Sequence, residues 1–231
     1  MKRFYKDVAI ADAAGGFRIH LDNRALKTPK RGDLVLPTRA LADAVAGEWQ
    51  AQGEFIDPVA MPMTGLANAA IDHVAADRDA FVAPLAAYAE SDLICYRAES
   101  PAPLVARQST EWDPLAKWAE TRLDAPLTLV AGVLPKPQPP DSIAKLRDVL
   151  AAHDDYTLAA GQPLVTISGS LVIALALLAE EIDAETAWRA GQLDELWQAE
   201  QWGDDEDAAA TRARRKADFD VAATFAGLAR S

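Results

Sequence analysis

Seven carboxylates crowd fourteen positions near the end of this 231-residue chain: Asp194, Glu195, Glu200, Asp204, Asp205, Glu206 and Asp207 alternate with Leu196, Trp197 and Trp202, and no basic residue interrupts them. Paired carboxylates bind Mg²⁺ or Ca²⁺ through oxygen, but the spacing lacks the alternating acids, central glycine and terminal glutamate of a calcium loop. A solvated helix end is the plainer role. Acids suit the positive end of a helix dipole, and Arg212, Arg214, Arg215 and Lys216 follow as partners one turn on. That accounts well for Asp204 to Asp207. It accounts less well for Trp197 and Trp202, because aromatics in an acidic stretch are what a partner-binding face uses as anchors, with core packing as the competing role.

Other sources of chemistry are thin. His20, His73 and His153 are dispersed, and none has a partner at helical ligand spacing. Cys95 sits between Ile94 and Tyr96, as a small buried hydrophobe would. Ile167-Ser168-Gly169-Ser170-Leu171 has neither the second glycine nor the lysine of a phosphate loop, and its serines are one residue off a nucleophile elbow. Small residues that let helices approach closely are the simpler reading. No catalytic, cofactor-binding or metal-binding residue is assigned, and no cofactor is expected.

Composition narrows the classes further. A net charge of -12 repels phosphate backbones, so nucleic acid is a poor partner. One cysteine rules out an internal disulfide framework and points to a reducing compartment. The start, Met1-Lys2-Arg3-Phe4-Tyr5, has neither an apolar signal core nor an arginine-rich transit character, which gives a cytoplasmic expectation. Leu164 to Ala179 is the most hydrophobic segment; interrupted by Thr166, Ser168, Gly169 and Ser170, it falls short of the roughly 20 apolar residues that span a bilayer. It reads as one buried core helix, and no membrane insertion is expected.

The elements that position these residues change type along the chain. From Phe4 to Leu36, apolar residues recur every second position (Val8 and Ile10; Phe17, Ile19 and Leu21; Leu34 and Leu36), separated by Gly15-Gly16, Asp22-Asn23 and the turn from Thr28 to Gly32. An antiparallel meander follows. Leu41, Val45 and Trp49 then recur every fourth residue, with Thr38 as cap and Gly53 as stop. Further helices are expected after Thr64, from Asp77 with Pro84 in its early turns or kinking it, after Thr110, after Asp141, from Asp183 to about Trp202, and from about Asp205 to Leu228. Leu127 to Val133 has β character, and Pro101 with Pro103 reads as a break. The fold class is α+β: a small antiparallel β-rich N-terminal domain, residues 1–57, followed by a larger mainly helical domain, residues 58–231, joined at the proline bridge after Asp57.

Several strings occur in a familiar order. Lys2-Arg3-Phe4-Tyr5, Leu21-Asp22-Asn23-Arg24, Leu26-Lys27-Thr28-Pro29, Leu36-Pro37-Thr38, Glu48-Trp49, Met61-Pro62-Met63-Thr64, Leu66-Ala67-Asn68 and Ile71-Asp72 are continued by Ser168-Gly169-Ser170-Leu171, Leu193-Asp194-Glu195, Trp197-Gln198, Glu200 and Gln201-Trp202-Gly203. Nearly end to end, the chain resembles the ATP synthase F(1) assembly chaperones. The resemblance implies a β-rich domain on a helical domain, and a non-enzymatic chaperone that binds the free α subunit of the catalytic head, monomeric when free. Relatives in eukaryotes act in the mitochondrial matrix. It implies a partner-binding face at Glu200 first, with Trp202, Glu195, Asp194 and Trp197. It leaves open whether Asp22, Arg24, Lys27 and Thr28 are turn chemistry or client contacts; Trp49 continues the helical stripe and is expected in the core. Two alternatives from other classes are a hydrolase in which Asp194, Glu195, Glu200 or Asp204 converge on a metal, and a general scaffold with another client.

Overall fold

The computed structural model describes residues 1–132, 134, 136–203 and 205–230. Its contacts separate two compact units, one made of residues 1–78, 154–160 and 221–231, the other of residues 79–153 and 161–220.

In the first unit the period-two pattern becomes a sheet. β1 (Val8–Ala13) and β2 (Gly16–Leu21) form a hairpin in the register Val8↔Leu21 to Ala13↔Gly16, and β3 (Arg24–Ala25) and β4 (Val35–Leu36) both pair with the far edge of β2. The hairpin turn requires glycine: Gly15 has φ +84°, and a Cβ on Gly16 would stand 2.0 Å from the Leu36 carbonyl oxygen. α1 (Arg39–Gln50) packs on β1 and β2 through Leu41, Val45 and Trp49. The Thr38 hydroxyl oxygen accepts the Leu41 amide at 3.1 Å and donates to the Leu228 carbonyl at 2.5 Å, so one residue starts this helix and fastens the chain's last segment.

α1 stops before Gly53 is reached. Gln52 ends it instead, its amide donating to the Glu48 carbonyl at 3.1 Å while its oxygen accepts the Asp57 amide at 2.7 Å. α2 (Pro62–Ala69) likewise starts before Thr64, because the Glu48 carboxylate takes the amides of Met63 and Thr64 at 2.7 and 2.8 Å and the Thr64 hydroxyl at 2.7 Å. A carboxylate at the positive helix end stabilises it both as hydrogen-bond acceptor and as counter-charge. Residues 58–78, placed in the helical domain by the sequence reading, group with the sheet and α1 in the first unit.

The second unit is helical apart from β5 (Tyr96–Arg97) and β6 (Val130–Ala131), a short parallel pair. Its elements include α3 (Arg78–Ala86), α4 (Ala102–Arg122), α5 (Pro140–Ala151), the later part of α6 (Asp155–Ser168), α7 (Leu171–Leu178), α8 (Ala184–Gly191), α9 (Leu193–Trp202) and the earlier part of α10 (Glu206–Arg230). α7 is buried at every position but Leu177 and forms the centre.

Further boundaries differ from expectation. The apolar run Leu164 to Ala179 is not one core helix: Gly169, at φ +70°, ends α6, and Ser170 caps α7 by accepting the Ile173 amide at 3.0 Å. Asp183 does cap a helix, through the Thr186 amide at 2.7 Å, but that helix ends at Gln192, and α9 follows as a separate helix. Here a Cβ on Gly191 would lie 2.8 Å from that of Ser168, so the small residues serve close helix packing. Pro101 and Pro103 do not break the chain; they open α4, where proline's missing N–H costs nothing, and Thr110 lies mid-helix with its hydroxyl donated to the Ala106 carbonyl. Asp141 sits in the first turn of α5 behind Pro139 and is not its cap. The β segment shrinks to β6, with Val133 outside the described residues.

Candidate functional site

α9 carries all five sequence-predicted partner-binding residues. Only Leu193 of this helix is buried, so the rest of its surface is held at or near solvent. Asp194 accepts from the Gln108 amide at 2.8 Å. Gln108 is 2% exposed and its own oxygen takes the Ala98 amide at 2.8 Å, which makes it a bridge from α9 to the chain after β5. Glu195 pairs with Arg215 of α10 at 3.2 Å, and Arg215 also donates to the Ile167 carbonyl at 3.0 Å. Glu200 receives one nitrogen of Arg107 of α4 on both carboxylate oxygens, at 2.7 and 2.9 Å. Arg107 lies 3.5 Å from Glu111 as well. The Glu200 hydrogen bond is the main reason the Arg107 guanidinium is held still further towards its charged form.

The carboxylates therefore point away from one another, each to its own partner. Among the described residues no group of three metal-ligating side chains assembles, and Asp204 lies outside them. The arrangement orients acids on a surface; it does not converge them on a reacting atom. Arg107 and Gln108 escape a sequence reading that puts a break at Pro101–Pro103 and starts the helix at Thr110. Recognising proline as a helix opener brings both into α4.

Two tryptophans of α9 play different parts. Trp197 is half-buried and lines a groove of about 470 Å³ with Tyr96, Leu104, Gln108 and Asp194. Trp202 is 79% exposed at the end of the helix, where Gly203 turns the chain at φ +85°. Its ring borders that groove and a second one between α9 and α10, lined by Glu195, Ala199, Thr211 and Arg215. A core role is thereby ruled out for Trp202, whereas Trp112 and Trp188 supply the core. The Trp202 indole leaves apolar surface uncovered beside both grooves.

Of the remaining candidates, Asp22, Lys27, Thr28 and Trp49 have partners inside the chain, and Arg24 is exposed on β3. Asp22, at φ +53°, accepts the Lys6 and Asp7 amides at 3.0 and 2.9 Å, and these bonds hold its carboxyl below the usual range. Lys27 pairs with Asp33 at 3.0 Å, and the Thr28 hydroxyl donates to Asp72 at 2.6 Å. Trp49 is buried against Tyr5, whose hydroxyl donates to the Trp49 carbonyl at 2.6 Å. Cys95 is fully buried, and burial pushes its thiol up to about 12, so it is an inert hydrophobe.

With this geometry in hand, known proteins give a consistent answer. Residues 2–120 match the family model described as ATP12 chaperone protein. The crystal structure of Atp12 from Paracoccus denitrificans superposes with a TM-score of 0.93 at 46% identity, over 99% of this chain and 98% of that one; a mutant of the same protein gives 0.94. The mitochondrial protein atp12 of Schizosaccharomyces pombe is 26% identical over 219 residues, which are 90% of this chain and 75% of that protein.

Proposed function

The chain belongs to the ATP12 chaperone protein family, and from that premise we propose that it holds the free α subunit of ATP synthase on the face of α9 that carries Glu200 and Trp202. Its job is assembly of the ATP synthase catalytic head, and its partner is a subunit of that enzyme. A free subunit of an alternating ring exposes large apolar interfaces that pair wrongly or aggregate, so a protein that covers one of them until the ring forms raises the yield of correct assembly.

Trp202 carries the choice of face. An indole exposed between two grooves supplies apolar area, while Glu200 and Glu195 beside it are already oriented by Arg107 and Arg215. Oriented acids meet basic or amide-rich client surface without first losing rotamer freedom, and they select against acidic partners. Asp194 and Trp197 shape the adjoining groove. The chemistry is recognition alone, and the hydrolase alternative is not favoured. No helix among the described residues is long and apolar enough to cross a membrane. The cytoplasm is the proposed setting for this chain, where the Schizosaccharomyces pombe relative is mitochondrial.

Co-purification tests the reading. The tagged protein is expected to bring down the α subunit from its own cells. Glu200→Lys is expected to lose it, and Glu200→Gln, which removes the charge without repelling Arg107, to retain part of it, both with an unchanged melting temperature. Absence of the α subunit from the wild-type eluate, even with that subunit overproduced, would overturn the proposal.

A further inference from the structure

β1 is an open sheet edge. The Asp22 amide donates to the Asp7 carbonyl at 2.9 Å, which fixes 7↔22 as a hydrogen-bonded pair of the hairpin. In an antiparallel ladder such pairs alternate, so 9↔20, 11↔18 and 13↔16 are bonded across the hairpin, and the amides and carbonyls of Val8, Ile10 and Asp12 point away from β2. No partner for these outward groups exists among the described residues: β3 and β4 both occupy the opposite edge of β2.

Of the devices that keep such strands from pairing, the edge carries only one charge, Asp12 near its end. Val8-Ala9-Ile10-Ala11-Asp12-Ala13 contains no proline and no lysine, is not bulged, and is six residues long. Ala9 and Ala11, on the exposed face, are too small to obstruct a neighbour. Val8 and Ile10 on the other face are only half-buried, so an added strand would cover them as well as satisfy the backbone. Exposed Asp7 precedes the strand and exposed Asp12 is its fifth residue, so both ends are acidic.

We propose that β1 receives an extended segment of the client, which adds to the sheet as a further strand. This rests on the reading of the chain as an ATP synthase assembly chaperone, and it gives that activity a second contact distinct from α9. The outward N–H and C=O groups of Val8, Ile10 and Asp12 select β conformation whatever the sequence. The half-covered Val8 and Ile10 select apolar residues at alternate positions, and Asp7 and Asp12 select lysine or arginine near the ends. Strand addition suits an unassembled subunit, because main-chain pairing holds a segment extended and is undone when the segment is claimed by its final neighbour.

The test uses the full chain and the purified α subunit. Proline at an outward position removes a docking donor but no bond of the hairpin, so Ile10→Pro and, at the first strand position, Val8→Pro are expected to fold, and each to weaken α-subunit binding by about tenfold. In the wild-type complex the amides of Val8, Ile10 and Asp12 are expected to gain protection from hydrogen exchange. Unchanged affinity in a folded proline variant, with those amides unprotected, overturns strand addition while the chaperone reading stands. Protection that instead accompanies concentration-dependent dimerisation without the α subunit assigns the edge to a second copy and overturns the proposal. A wild-type chain that binds no α subunit removes both readings.

Discussion

Two acidic sites, one around Asp72 and one along α9, spend their carboxylates in different ways. Asp72 is 7% exposed; its oxygens take the Thr28 hydroxyl at 2.6 Å and the Lys30 amide at 3.0 Å, and its carbonyl takes the Lys30 ammonium at 2.9 Å. Every strong acceptor there has a partner inside the chain, and the product is a fixed turn over residues 28–32. Glu195 and Glu200 have one cationic partner each, lie at the surface, and stand beside an exposed indole. Both sites are acidic and both carry family strings in the sequence. What separates structure from recognition is how much hydrogen-bonding capacity is left over, and whether apolar surface is exposed beside it.

That distinction can be broken by mutation. The largest loss is expected for Asp72→Ala, which strands a buried hydroxyl and an amide: about 3 kcal/mol of stability, measured by denaturant unfolding, with an unchanged slope. A loss below about 1 kcal/mol would show that the turn does not depend on this carboxylate. Glu48→Ala removes the cap of α2 and is expected to cost about 2 kcal/mol in the same assay.

Asp92 sharpens the comparison through pH. It is fully buried, and burial pushes its carboxyl up to about 6 although the amides of Val172 and Ile94 donate to it at 3.0 and 3.3 Å. Its folded value lies above the ordinary 3.8, so the fold favours the protonated form. The stability it contributes is full below about pH 4 and is lost as pH rises through about 6. Asp92→Asn, an uncharged group that keeps one acceptor oxygen as the protonated carboxyl does, does not titrate and serves as the reference. The wild-type advantage should be larger at pH 4 than at pH 7, by about 1–2 kcal/mol. An advantage independent of pH would mean that Asp92 does not titrate in this range. Asp22, Asp33 and Asp183 are held low by their hydrogen bonds and act oppositely, losing stability as pH falls; the mutant comparison cancels them. Smallest of all should be the stability effect of Trp202→Ala, within about 0.5 kcal/mol, because little packing is lost at an indole this exposed.

Much of the sheet was legible because its signals are local. Alternation, Gly15-Gly16, Asp22-Asn23 and the Thr38 cap each fix their own few residues. Helix ends set by distant side chains were not: Glu48 starts a helix fourteen residues on, and Gln52 stops one by reaching Asp57. The breaks at Gly169 and Gln192 were hidden because apolar periodicity runs across both, and the close packing of Gly191 on Ser168 that accompanies them is not visible in a linear sequence. The acids and tryptophans of α9 were legible as a constellation. Their partners were not, since Arg107 and Gln108 stand more than eighty residues away, in a helix whose opening prolines read as a break.

Affinity for purified α subunit, measured for the wild type and for Trp202→Ala at matched melting temperatures, tests the α9 face most directly. The account predicts that the variant binds at least tenfold more weakly with its stability unchanged. Equal affinity in the two proteins would contradict it and remove α9 as the client-binding face.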